Sequence, residues 1–219
     1  MQGQDPDHTI GAIVLAAGSS SRMGGGRHKL LLPLGERPVI RHVLDAILQS
    51  QARPVVVVVG HQADRVRAAL AHSPADSDVS IIENPAYLQG MSSSIHVGLR
   101  ELMRDEQQTQ TIKGVLIMLG DQPLMTEHII DALIEQKAVT DKRIVAPLYG
   151  GKRGNPVLFD ASLFTELLAV SGDEGGRSVL QRHREEIVNV EVGDATTSID
   201  VDTWEAYQQV VAEWQRQQG

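Results

Sequence analysis

Residues 13–35 read IVLAAGSSSRMGGGRHKLLLPLG. An apolar run ends in Ala16-Ala17-Gly18-Ser19, a turn whose small side chains leave backbone N–H and C=O groups open to a base or a phosphate. Arg22, Arg27 and Lys29 follow across a glycine-rich segment, and the chain then turns apolar again. The neighbours of this turn decide what it belongs to. Apolar runs (IGAIVLA, RPVVVVVG, VSIIEN, IKGVLIMLGD, KRIVAPL, GNPVLF, REEIVNVEV) alternate with stretches of helical period such as PVIRHVLDAILQS, SSSIHVGLRELM and TEHIIDALIEQKAV. That alternation predicts βαβ units: an α/β, Rossmann-like three-layer fold with a mostly parallel sheet covered by helices. Within the helices, Val39, Val43, Leu44, Ile47 and Leu48 form one stripe, and Ile129, Ile130, Leu133 and Ile134 another, so they are core candidates. Pro38 suits a first helical turn, and residues 171–176 read as a loop before a helix. The polar stretches at 73–80 and 104–111 read as surface connections. The last stretch predicts an amphipathic helix whose Trp204, Tyr207, Val211 and Trp214 pack on the sheet edge.

Composition narrows the classes. The chain of 219 residues is 42% hydrophobic, 22% charged and 3% aromatic, which fits one α/β domain over residues 1–219 with an aliphatic core. It has no cysteine, so disulfides, thiolate metal sites and cysteine nucleophiles are excluded. The formal net charge of -8 argues against a nucleic-acid partner, and makes three cations beside one glycine turn read as a local anion site. No run is long enough to span a membrane, and the polar start lacks the layout of a signal peptide, so a soluble, cytoplasmic protein is expected.

Two common phosphate loops do not fit. A Walker loop needs Gly-x-x-x-x-Gly-Lys-Ser/Thr, whereas Gly18 and Gly24 have five residues between them and Lys29 precedes Leu30. The dinucleotide fingerprint Gly-x-Gly-x-x-Gly is also missing, which disfavours a nicotinamide site. Asp121 follows the run GVLIMLG, and a carboxylate at a buried strand end calls for a hydrogen bond, an ion pair or a cation; it could equally cap the next helix. Arg22, Lys29 and a distant carboxylate suit a nucleoside triphosphate with Mg²⁺. His28, His61 and His96 lie near these segments and read as packed or surface residues.

The ordered set LAAGSSSRMGGGRHKLLLPLG, GMSSSIHVGL, GDQPLM, GKRGNPVLF, GDEGGR and SIDVDT resembles the nucleotidyltransferases of the molybdenum cofactor, closest to their cytidylyltransferase branch with Leu-Ala-Ala-Gly. The resemblance runs from about residue 10 to 207. It implies a fold of the nucleotide-diphospho-sugar transferase type and transfer of CMP from CTP to a pterin-phosphate acceptor, with a molybdenum hydroxylase as a possible receiver of the product. It also implies that Leu15, Ala16, Ala17, Gly18, Ser19 and Ser94 line the nucleotide, and that Arg22 and Lys29 hold the triphosphate. Asp121 would be a Mg²⁺ ligand with Asp202, or its neighbour Asp200, as the second; on a strand these two would point to one side. Arg153, Gly154, Asn155 and Pro156, within an acceptor region at 145–180, would face the acceptor. Two features differ from the family pattern. Four residues, not about two, separate Gly24 from Lys29, so Lys29 would reach through a longer loop or share its work with Arg27; and Asn155 stands where the family tends to have His. Other readings are transfer to methylerythritol phosphate or a sugar phosphate, an oxidoreductase of the same pattern, and a cofactor-holding chaperone.

Overall fold

The computed structural model describes residues 9–24, 26–70, 79–104 and 111–218. The surface connections expected at 73–80 and 104–111 lie mostly outside them. The strands are β1 (Thr9–Ala16), β2 (Pro33–Leu34), β3 (Arg37–Pro38), β4 (Val55–Val59), β5 (Val79–Glu83), β6 (Ile112–Leu119), β7 (Ile144–Tyr149), β8 (Lys152–Arg153), β9 (Val157–Asp160) and β10 (Ile187–Gly193). The helices are α1 (Val39–Gln49), α2 (Ala63–Leu70), α3 (Met91–Leu102), α4 (Glu127–Ala138), α5 (Phe164–Ala169), α6 (Arg177–Arg182) and α7 (Trp204–Gln218).

The main sheet has the order β10-β7-β9-β6-β1-β4-β5, with β8 paired to β7. All neighbours on the main path are parallel except β9, which runs antiparallel to both β6 and β7. The mostly parallel sheet is as the alternation predicts. The reversal at β9 follows from its link, residues 150–156, which is too short for the crossover of about a dozen residues that a parallel return needs. From β1 the chain steps outward to β4 and β5, then returns to β6 on the other side of β1. This reversal opens a crevice at the carboxyl ends of β1 and β6.

Period-two burial builds both faces. Ala12, Val14 and Ala16 of β1, with Val55, Val57 and Val59 of β4, pack with α1, α2 and α4. Ile13 of β1, with Val56 and Val58 of β4, packs with α3, α5 and α6. The expected stripes are in place: Val39, Val43, Leu44 and Ile47 are buried in α1, and Ile129, Ile130 and Leu133 in α4. Pro38 lies one residue before α1 rather than in its first turn, with extended backbone at φ −72° and ψ 154°.

The C-terminal helix departs from expectation. Instead of the sheet edge, Tyr207 and Val210 of α7 join Leu34, Val39, Leu124 and Val201 in a separate cluster. Its stripe meets the apolar side of the β2–β3 hairpin, where Tyr207 Oη donates to the Pro33 carbonyl at 2.5 Å. Among the described residues, no helix is long and apolar enough to cross a membrane.

Two contacts give stability predictions. A Cβ added at Gly60, just after β4, would lie 2.8 Å from the Ala17 Cβ and 2.9 Å from both the Ala17 carbonyl and the Tyr87 Cβ. Gly60→Ala should cost about 1–3 kcal/mol and lower the melting temperature by roughly 2–4 °C per kcal/mol; an unchanged thermal melt would contradict that close approach. At the other end of the sheet, the Arg143 guanidinium grips Glu186 through Nε and Nη2 and holds its carboxyl down to about 2. A depressed carboxyl pKa gives stability that is present above the unfolded value and is lost as pH falls through the folded one. The melting-temperature gap between wild type and Arg143→Met should therefore narrow as pH falls from 4.5 towards about 2; a gap independent of pH would contradict it.

Candidate functional site

A cleft of about 740 Å³ opens over the carboxyl ends of β1 and β6. Its floor is the first turn, Leu15, Ala16, Ala17, Gly18 and Ser19, and its walls include Arg22, Lys29, Ser94, Asp121, Arg153, Gly154, Asn155, Asp200 and Asp202. Of the residues that the resemblance assigns to the nucleotide, the metal or the acceptor, all but Pro156 border the cleft; Pro156 is buried just before β9.

The carboxylate end is held by one ammonium. Lys29 opens a short 3-10 turn, Lys29–Leu31, whose Leu30 is buried in the core, and its backbone N–H donates to Ser20 Oγ at 3.1 Å. From there Nζ donates to Asp121 Oδ2 and, at 2.6 Å, to Asp202 Oδ1. Arg22 Nη2 lies 2.8 Å from the other Asp202 oxygen. Burial alone would lower the Lys29 pKa, but the two carboxylates outweigh it and raise it, so the amine stays charged. The long loop therefore does not keep Lys29 from the cleft. Arg27 is placed elsewhere: its guanidinium lies over the Trp204 ring, 4.8 Å from the centroid.

Asp200 and Asp202 do not lie on a strand and are not placed as equivalents. The Asp202 N–H donates to the Asp200 carbonyl at 2.9 Å, a tight turn, while Val201 is buried between them and donates to the Asp121 carbonyl at 2.9 Å. The turn sends Asp202 to Lys29 and Asp200 to Gln122, whose Nε2 donates to Asp200 Oδ1 at 2.7 Å. Burial, followed by the nearby Asp121 charge, pushes the Asp200 carboxyl up to about 6. Among the described residues, no group of three acidic or histidine side chains is disposed around a metal position.

The rest of the cleft comes from the face that α3 and α6 cover and from the link between β7 and β9. Ser94 lies in the first turns of α3, buried, with its Oγ accepting from Asn84 Nδ2 at 3.0 Å. Arg153 reaches Asn189 Oδ1 through Nε at 3.1 Å, and the Asn155 carbonyl accepts from Tyr149 Oη at 2.7 Å. Residues that sequence reasoning did not single out complete the lining: Tyr87, Leu88 and Met91 before and at the start of α3, and Asp173 and Arg177 around the start of α6. Asp173 Oδ1 accepts from the Met91 N–H at 3.3 Å, joining the two segments. They fall inside or beside the motifs GMSSSIHVGL and GDEGGR, but nothing in an isolated Leu or Met signals a cleft until the fold brings the segments together.

A family model described as the MobA-like NTP transferase domain matches residues 12–187. Among curated proteins, the bifunctional protein GlmU of Rhizobium rhizogenes is 35% identical over 121 residues, 55% of this chain and 25% of that protein. The chain thus spans about a quarter of the length of such GlmU relatives. Nicotine blue oxidoreductase of Paenarthrobacter nicotinovorans is 28% identical over 204 residues, 90% of this chain and 93% of that protein. Among solved structures, Rv0371c from Mycobacterium tuberculosis H37Rv has a TM-score of 0.77 at 29% identity, covering 93% of this chain and 97% of that one. Rv0371c has also been solved in complex with manganese. The family match runs from β1 to the start of β10 and takes in the first turn, Lys29, Asp121 and the segment 153–156, so the chain belongs to the MobA-like NTP transferase domain family.

Proposed function

We propose that this protein is a Mg²⁺-dependent cytidylyltransferase that moves CMP from CTP to the phosphate of molybdopterin or its molybdenum-loaded form, and that the product passes to a molybdenum hydroxylase. The observation that carries this reading is the meeting of Arg22 and Lys29 with Asp121 and Asp202 at the open end of a small-residue turn. Two cations beside a backbone-lined turn suit a triphosphate, and Leu15-Ala16-Ala17-Gly18 matches the cytidine branch by resemblance.

The donor set fits a divalent cation. Asp121 and Asp202 are two carboxylates brought together at one ammonium. Mg²⁺ commonly takes only one or two carboxylates, with phosphate oxygens and water completing its shell. Asp121 and Asp202 would hold it, and when bound it supplies charge neutralisation at the phosphates.

In this reading the turn at residues 15–19 takes the nucleoside end through its backbone. Arg22 and Lys29 turn from the carboxylates towards the phosphates and neutralise charge as it shifts to the leaving pyrophosphate. An oxygen of the acceptor phosphate attacks the α-phosphorus in line, the bond to the bridging α–β oxygen breaks, and pyrophosphate departs with that electron pair. The second pKa of a phosphate monoester is about 6, so the nucleophile is already ionised at neutral pH and needs no general base. Arg153 and the Asn155 segment would orient the acceptor.

A second reading rests on the near full-length likeness to nicotine blue oxidoreductase. It would need nicotinamide binding on a turn where Gly18 is followed by Ser19, Ser20 and Ser21 instead of the dinucleotide glycines.

Incubation with Mg²⁺, molybdopterin and each of the four ribonucleoside triphosphates, followed by a pyrophosphate assay, separates the two. CTP should give the fastest release, and Lys29→Ala and Asp121→Asn should each lower kcat/KM by roughly 10²–10³-fold, as for other electrostatic stabilisers. No release with any triphosphate, or release indifferent to Asp121→Asn, rejects the transferase; NADPH consumption with an electron acceptor favours the oxidoreductase.

A further inference from the structure

Lys29 follows a run of glycines, and Gly24 and Gly26 have φ values of 64° and 67°, open to glycine and costly for other residues. Such a segment does not aim a side chain by itself. Arg27, next in line, is turned outward onto Trp204. His28 is the first side chain after the glycines to enter the interior, at 4% exposed. Its ring stacks on His61 with centroids 5.6 Å apart and planes inclined by 8°, and Nε2 lies 3.1 Å from the His61 carbonyl. A carbonyl only accepts, so Nε2 carries the proton, and Nδ1 is left buried without a partner. Burial, the largest influence, together with the neighbouring His61, Arg65 and Lys29, pulls the ring's pKa below the ordinary histidine value, although its bond to His61 opposes this. The ring is therefore neutral and adds no charge beside Lys29.

His61 serves both halves of the clamp through its backbone. Its N–H donates to the Ala17 carbonyl at 3.1 Å, and its own carbonyl receives His28. The segment that carries Lys29 is thus tied to the same residue that seats the first turn.

We propose that His28 is a positioning residue: its ring, wedged against His61, fixes the Lys29 ammonium between Asp121 and Asp202 at the end of a glycine-rich loop. The kinetic part of its test rests on the triphosphate reading above; the labelling part does not.

Lysine acetylation by acetic anhydride, followed site by site by mass spectrometry on the ligand-free protein, reads the position of Lys29 directly. Lys137 is an internal control, because its side chain is 15% exposed like that of Lys29 and is paired with Asp160. Exposed Lys152 sets the fast limit. In the wild type, Lys29 and Lys137 should both label slowly. His28→Ala should quicken Lys29 several-fold towards the rate of Lys152, because an ammonium no longer seated between Asp121 and Asp202 is open to the reagent, and leave Lys137 slow. His28→Phe, which keeps a flat ring to stack on His61, should keep Lys29 slow. Unchanged Lys29 labelling in His28→Ala, or Lys29 and Lys137 quickening together, overturns the proposal. In turnover, His28→Ala should lower kcat/KM for the triphosphate but have no further effect in a Lys29→Ala background, because it acts through Lys29; losses that add would overturn it. If the wild type releases no pyrophosphate, the transferase reading fails while the labelling still decides the role of His28.

Discussion

The ammonium of Lys29, shared by Asp121 and Asp202, is the contact on which the site depends. Asp121 is 7% exposed at the end of a central strand, and a carboxylate there is costly unless a cation meets it. The three residues come from the loop after β1, the end of β6 and the segment before α7. They can meet only because β1 and β6 are neighbours at the point where the sheet changes direction. The aliphatic layers on both faces hold that adjacency, and the α7 cluster anchors the segment of Asp202 through Val201. The same arrangement leaves the small-residue turn facing the cleft, with its backbone groups beside the cations.

Much of this was legible in the chain because burial writes regular periods. The alternation of apolar runs and helical stripes gave the layered sheet, and the side chains of α1 and α4 face inward as their spacing requires. What escaped periodicity depends on partners far away in sequence. The antiparallel β9 was implied only by the brevity of residues 150–156. The stripe of α7 said that it packs, but not that it packs on the β2–β3 hairpin.

The site divides in the same way. The first turn, Arg22, Lys29 and Asp121 could be picked out because small residues after an apolar run, and charged groups beside glycines or at a strand end, have few structural uses; Asp202 came only with the family resemblance. Asp200 and Asp202 could not be told apart, since a turn of one residue, with Val201 buried between them, sends the two carboxylates to different partners. Leu88, Met91 and Asp173 were not singled out one by one, because their place at the cleft comes from the packing of the α6 entry loop against the start of α3. His28 read as a packed or surface histidine, and the structure packs it, at 4% exposed, against the His61 ring.

Membership in the NTP transferase family and a near full-length likeness to an oxidoreductase leave one question above the others: which ligand this clamp was built to hold. Calorimetric titration of the protein with CTP in the presence of Mg²⁺, beside the same titration with NADPH, addresses it without any acceptor. The clamp predicts saturable CTP binding that needs the metal and is lost in Lys29→Ala, with no NADPH binding. Binding of NADPH in place of CTP, or CTP binding that survives loss of Lys29 unchanged, would contradict it.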